Sequence, residues 1–177
     1  MGRFLNLLWE ICRLRRGPQD LPYSPQLLLG VCVASLVLQQ AITRVLGVDQ
    51  DTLGAGMLSL AFNLGVLYLL LNLRGLRSRF IQAALALLCC ALLFTLLSLP
   101  IALLAGTHPI TPEQMTPLQL LLGLASLPLL IWKLMVDAHI LRHSLDVPFL
   151  AGMVIALLWL VAELTLATVI GGAPATA

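Results

Sequence analysis

The chain has 177 residues, of which 60% are hydrophobic and 10% are charged, and its formal net charge is +2. A water-soluble domain carries about 25% charged residues, so this composition excludes a soluble globular domain. Long apolar runs indicate instead an all-α membrane protein, and no hydrophilic stretch is long enough to form a second folded domain.

Residues 1–24 are predicted to form a cytoplasmic amphipathic helix and its connector. The helix is expected over residues 3–16, because apolar residues recur at helical spacing there, and Gly17 and Pro18 are expected to end it. We expect its apolar face to lie on the membrane surface and its basic residues to face anionic headgroups. It would serve as a topology anchor or as a docking helix for a partner. The candidate lipid- or partner-binding residues are Arg3, Trp9, Arg13, Arg15 and Arg16.

Residues 25–170 are predicted to form a bundle of five transmembrane helices. A spanning helix needs about 20 mostly apolar residues, and five segments meet this requirement. Short connections make consecutive spans antiparallel neighbours. The predicted spans are Pro25–Leu46, Leu53–Leu73, Phe80–Ala105, Pro117–Leu141 and Pro148–Ile170.

The distribution of basic residues predicts the orientation. With five spans, one side holds Arg44 as its only base, and we expect the first span to serve as its own insertion signal. The positive-inside rule then places the N-terminus in the cytoplasm and the tail of residues 171–177 outside. The Leu-, Ala- and Arg-rich, Lys-poor composition favours a bacterial inner membrane. The opposite side carries Arg3, Arg13, Arg15, Arg16, Arg74, Arg77, Arg79 and Arg142.

An amphipathic N-terminal helix, a Gly- and Pro-containing connector and five closely spaced spans resemble the Ypt-interacting-protein (Yip) domain family of small membrane proteins. The string Arg16-Gly17-Pro18-Gln19-Asp20-Leu21-Pro22 is similar to the start of uncharacterised bacterial relatives of that family. The resemblance covers most of the chain and implies a five-span fold, but no functional residue follows from it.

Ionisable residues inside the spans are candidates for a functional site, because each costs about 2.5 kcal/mol or more at membrane depth. Lys133 and Asp137 are four residues apart, so they are predicted to share a helix face and neutralise each other. Glu163 has no base three or four residues away. Counted from Leu141 and Pro148, the depths of Lys133 and Glu163 differ by about 10 Å, which argues against a direct pair.

We therefore expect Glu163 to point into the bundle and to meet polar groups of the first span. An interhelical hydrogen bond and a proton or cation relay are both open as its role. His139 and His143 lack a third ligand nearby, so a metal site is not supported. The candidate polar site comprises Glu163, Gln39, Gln40, Arg44, Asn63, Lys133 and Asp137.

These features favour a non-enzymatic scaffold or organising factor that acts through the bilayer, a homo-oligomer or other membrane proteins. The alternative is a small transporter or proton- or ion-coupled carrier that uses Glu163. Convergence of the polar residues on one cavity would favour the carrier, and scattered pairs would favour the scaffold. No catalytic constellation, cofactor motif or nucleic-acid-binding feature is expected.

Overall fold

The computed structural model describes residues 2–45, 52–105 and 116–170. In these ranges the chain forms six α-helices and two single 3-10 turns, at Pro18–Asp20 and Arg77–Arg79. The α-helices are α1 (Gly2–Cys12), α2 (Pro25–Val45), α3 (Thr52–Leu73), α4 (Phe80–Ala105), α5 (Pro117–Leu145) and α6 (Phe149–Ile170).

Helices α2 to α6 are the five predicted spans, and each is long and apolar enough to cross a membrane. Large apolar side chains cover their outer surfaces, as on α6, where Leu150 is 75% and Leu158 is 65% exposed. A water-soluble protein would not expose apolar surface on this scale, so the protein is a multi-pass membrane protein. The predicted bounds agree with the structure to within one residue, except that the fourth span continues to Leu145.

The N-terminal helix is shorter than predicted, because α1 ends at Cys12 and not near residue 16. Leu14 adopts a left-handed conformation with φ 61°. The amide of Leu14 donates to the carbonyl of Ile11, and the amide of Arg15 donates to the carbonyl of Glu10. This pair of bonds is the Schellman motif that ends helices, usually with glycine at the left-handed position. Because leucine occupies that position here, the helix end predicted from Gly17 and Pro18 was too far along the chain.

Residues 2–21, which we call the N-terminal segment, pack against the bundle. Ile11 and Cys12 are fully buried and Leu21 is 2% exposed, in a cluster with apolar residues of α4 and α5. The apolar face that we expected on the membrane surface is therefore largely covered by protein. Because these side chains are buried against α4 and α5, the segment is an integral part of the fold.

The contact between α4 and α5 separates two apolar clusters. One cluster lies towards the N-terminal segment and includes Phe94 and Val136. The other lies towards α3 and α6 and includes Leu67, Leu141 and Ala156. Helix α5 therefore contributes one face to each cluster and connects the N-terminal segment to the α3–α6 side of the bundle.

Arginine side chains after α3 donate hydrogen bonds to main-chain carbonyls at the end of α5. Arg74 donates hydrogen bonds of 3.3 Å to the carbonyls of Leu145 and Asp146, and Arg79 donates one of 3.2 Å to the carbonyl of His143. Cations are favourable at a helix C-terminus, where the last carbonyls lack partners within the helix. The α3–α4 and α5–α6 connections therefore share one end, as an arrangement of antiparallel neighbours requires.

Candidate intramembrane polar site

A cavity of about 100 Å³ lies among α3, α4, α5 and α6. Most of its lining is leucine and alanine, but five polar or amphipathic side chains from three helices also border it. A volume of 10–15 Å³ on this scale holds one water molecule, so the cavity has room for several waters or one small ligand. These five side chains are Asn63, Lys133, Asp137, Trp159 and Glu163.

Lys133 and Asp137 form the predicted pair. The Nζ atom of Lys133 donates to the Oδ2 atom of Asp137 at 2.7 Å, and the side chains are 30% and 18% exposed. A short charge-assisted hydrogen bond offsets part of the cost of holding both charges away from water. The pair is confirmed as a local feature of α5, and it fixes both charged groups at the cavity wall.

Glu163 reaches the same cavity from α6, and it lies close enough to Lys133 and Asp137 to interact with both electrostatically. The expected 10 Å difference in depth was wrong because α5 continues past Leu141 to Leu145. Counted from Leu145, Lys133 lies about 18 Å along α5, and Glu163 lies about 21 Å along α6 from Phe149.

The carboxylate of Glu163 has no hydrogen-bond or ion-pair partner among residues 2–45, 52–105 and 116–170. It is not fully buried either, because every fully buried side-chain nitrogen or oxygen in this part of the chain has a hydrogen-bond partner. Its oxygens therefore retain accessible surface, and Glu163 lines the cavity. A carboxylate placed this way is available to a proton, a water molecule or a ligand.

An amide and an indole complete the polar lining. The Nε1 atom of Trp159 donates to the Oδ1 atom of Asn63 at 2.6 Å, and the Asn63 amide nitrogen donates to the carbonyl of Ser59 at 2.9 Å. Both bonds fix the orientation of Asn63, and Trp159 presents its ring one helical turn before Glu163. Asn63 was predicted from the sequence but Trp159 was not, since no local pattern joins residues 96 positions apart.

The polar residues of α2 do not belong to this cavity. Gln39, Gln40 and Arg44 are absent from its lining, so the expected contact of Glu163 with the first span was wrong. Gln39 packs over α3, where its Oε1 atom lies 3.0 Å from the position a side-chain carbon would take at Gly56. The reason is topological, because α2 packs against α3 and α4 and not between α3 and α6.

The opposite face of α5 holds the N-terminal segment through main-chain carbonyls. Trp132 Nε1 donates to the carbonyl of Cys12 at 2.9 Å, and His139 Nε2 lies 3.0 Å from the carbonyl oxygen of Arg16. On α4, the Gln82 amide donates to the carbonyl of Leu21 at 2.7 Å. These bonds supply partners to main-chain carbonyls that would otherwise need water at the boundary of the bundle.

The candidate residues of the N-terminal segment divide into two groups. Arg13 and Arg15 are exposed, and Trp9 is 49% exposed with its ring edge-on to Trp132. Arg16 forms an ion pair of 2.9 Å with Glu10 and a looser one with Asp20. The side chain of Arg3 lies outside the described residues.

The cavity combines one ammonium group and two carboxylates. With all three ionised, the Lys133–Asp137 pair is neutral and Glu163 leaves one negative charge. One proton or one monovalent cation neutralises that charge, and the ring of Trp159 offers a face that attracts cations. The described part of the chain contains no group of three His, Cys, Asp or Glu side chains suited to a metal ion.

Comparisons with known proteins identify no relative, because no family model, curated protein or solved structure matches the chain.

Proposed function

We propose that this protein is a non-enzymatic membrane carrier that exchanges a proton for a small monovalent cation at Glu163. The observation that supports this proposal is the convergence of Asn63, Lys133, Asp137 and Glu163 on one cavity. A scaffold needs no such cavity. A carboxylate inside a span costs free energy of insertion, and it is retained when function requires it.

The size and chemistry of the cavity limit the ligand. A volume of about 100 Å³ fits a hydrated alkali cation or a small amine such as methylammonium. The Glu163 carboxylate supplies the charge, and the amide oxygen of Asn63 and the ring of Trp159 supply weaker contacts. Lys133 holds Asp137 at the wall, so that one net negative charge remains for the ligand.

The experiment is proton exchange in liposomes that contain the purified protein and a pH-sensitive dye. Addition of Na⁺, K⁺ or methylammonium to vesicles with a preset pH gradient should release protons from wild-type vesicles. The Glu163→Gln and Asp137→Asn variants should lose at least nine-tenths of this signal. Glu10→Gln is the matched control, since Glu10 is an acidic residue of α1 outside the cavity. Equal signals from wild type, Glu163→Gln and empty vesicles would exclude the carrier.

The second candidate is a scaffold or organising factor of the membrane, and exposed Trp9, Arg13 and Arg15 support it. An exposed indole and two exposed guanidinium groups on one short segment suit the headgroup region of anionic lipids. In this proposal α1 lies at the membrane surface with one face on the bundle. Native mass spectrometry should show phosphatidylglycerol bound to wild type and reduced in Arg13→Gln/Arg15→Gln, whereas equal retention would count against it.

We further propose a bacterial inner-membrane location with the N-terminus in the cytoplasm and the C-terminus outside, and membership of a Yip-like family of five-span proteins. The gathering of Arg74 and Arg79 at the same end as the N-terminal segment supports this orientation. Alkaline phosphatase fused after residue 177 should be active, and the same enzyme fused after residue 76 should be inactive. The reverse pattern would show that the N-terminus lies outside and the C-terminus in the cytoplasm, opposite to this proposal.

A further inference from the structure

Two thiols from distant parts of the sequence meet where the N-terminal segment packs against α4. The Sγ atoms of Cys12 and Cys90 lie 3.6 Å apart, although 78 positions separate the residues. Both side chains are fully buried and both cysteines are free. The polar cavity uses neither thiol, since neither belongs to its lining.

We propose that Cys12 and Cys90 are an oxidation site, at which a disulfide bond forms and joins the N-terminal segment covalently to α4. A disulfide requires a sulfur–sulfur distance of about 2.05 Å, so the two atoms must approach by roughly 1.5 Å. Cys12 is the last residue of α1 and is followed by a turn, so a small displacement of Cys12 does not disrupt a continuing helix.

The hydrogen bond between the two thiols favours thiolate formation within the pair. It lowers the pKa of the Cys12 thiol, because a donated S–H stabilises a thiolate. A thiolate is the nucleophile in thiol chemistry, and the neighbouring thiol then resolves the oxidised sulfur. Either sulfur can attack first, since either atom can be the donor of the hydrogen bond.

The oxidant is a hydroperoxide, and hydrogen peroxide is the simplest member of the class. One sulfur of the pair attacks one peroxide oxygen, the O–O bond breaks, and a sulfenic acid and one water form. The other sulfur then attacks the sulfenic sulfur, the S–O bond breaks, and the second water leaves with the proton of that second thiol. The two thiols lose two electrons in total and the peroxide gains them. A dithiol reductant reverses the bond by thiol–disulfide exchange.

The chain contains four cysteines, which allows the bond to be counted directly. The purified full-length protein is treated with hydrogen peroxide, quenched and denatured, and its thiols are labelled with a maleimide of defined mass. Wild type should pass from four labels to two, with an intact mass lower by two hydrogens before labelling. Dithiothreitol should restore four labels.

Matched variants assign the bond. Cys12→Ser and Cys90→Ser should each keep three labels after peroxide, whereas Cys32→Ser should fall from three to one. Cys32 is the control because it is half-buried on α2 and has no thiol contact among the described residues. If wild type keeps four labels, or if Cys90→Ser still loses two, the proposal fails. Label loss that dithiothreitol does not reverse also overturns it, since that loss reports sulfinic acid and not a disulfide.

Proteolysis supplies a readout that needs no variant. Trypsin cleaves after arginine, and exposed Arg13 follows Cys12 directly. When the digest of the oxidised protein is denatured, the fragment that carries Cys12 should remain attached to the fragment that carries Cys90 until reductant is added. Release of this fragment from the oxidised protein without reductant would show that Cys12 is not bonded to α4.

Discussion

The Nε1 atom of Trp132 donates a hydrogen bond to the carbonyl oxygen of Cys12 across 120 positions of the sequence. The residue after Trp132 is Lys133, which lines the cavity on the other face of α5. The ring of Trp132 also contacts Trp9 and Phe94 edge-on, at centroid distances of 6.2 and 5.0 Å. The packing of the N-terminal segment and the position of the charged pair therefore depend on one short stretch of α5.

Replacement of Trp132 by phenylalanine tests this bond. The variant keeps an aromatic ring but leaves the Cys12 carbonyl without its donor, so the N-terminal segment should lose about 1 kcal/mol of docking free energy. Trypsin cleavage after Arg13 and Arg15 should then be about fivefold faster than in wild type. Trp159→Phe is the matched control, because Trp159 lies on α6 and lines the cavity, away from the N-terminal segment. Equal cleavage of Trp132→Phe and wild type would show that packing alone holds the segment.

The sequence was sufficient to predict the five spans, because apolar runs of about 20 residues are a local property that the bilayer requires. It was also sufficient for the Lys133–Asp137 pair, whose spacing is that of one helical turn. It failed at the end of α5. Polar Arg142 and His143 indicated a loop, but the helix continues until Asp146, which adopts the left-handed conformation that ends it.

The composition of the cavity could not be predicted for a different reason. The bonds from Trp159 to Asn63 and from Trp132 to Cys12 join residues that are 96 and 120 positions apart. Helix periodicity gives the face of each residue but not the neighbour that this face meets. Depth estimates depend on helix ends, so an error of four residues at the end of α5 displaced Lys133 by about 6 Å relative to Glu163.

The Lys133–Asp137 pair predicts that removal of both charges costs less stability than removal of one. Lys133→Met leaves the Asp137 carboxylate without its donor and should lower the free energy of unfolding by about 2 kcal/mol. The double variant Lys133→Met/Asp137→Leu removes both charges and should recover at least half of that loss. Thermal unfolding of the purified protein in detergent measures both. A double variant no more stable than Lys133→Met would contradict this prediction.

Gly152 lies at a close approach of α6 to α5. A side-chain carbon at this position would lie 2.6 Å from the carbonyl oxygen of Ala138 and 3.3 Å from the amide nitrogen of Arg142. Main-chain atoms cannot move aside cheaply, so Gly152→Ala should destabilise the protein by about 1–3 kcal/mol. Gly65→Ala is the matched control on α3, because no atom lies within 4 Å of its added carbon. The idea fails if both variants unfold at the wild-type temperature.

Arg74 predicts a local effect at the end of α5. Its guanidinium group donates to the carbonyls of Leu145 and Asp146, so Arg74→Gln should leave these acceptors without a cation. We expect a loss of about 0.5–1 kcal/mol, because exposed contacts at a helix C-terminus contribute in this range. Hydrogen exchange of the amides in residues 143–147 should be two- to fivefold faster, with no change in α2. Arg77→Gln is the control, since Arg77 bonds to Asn72 in the last turn of α3 and not to α5. If Arg77→Gln accelerates exchange at residues 143–147 as much as Arg74→Gln, the effect arises from lost positive charge and not from the bonds of Arg74.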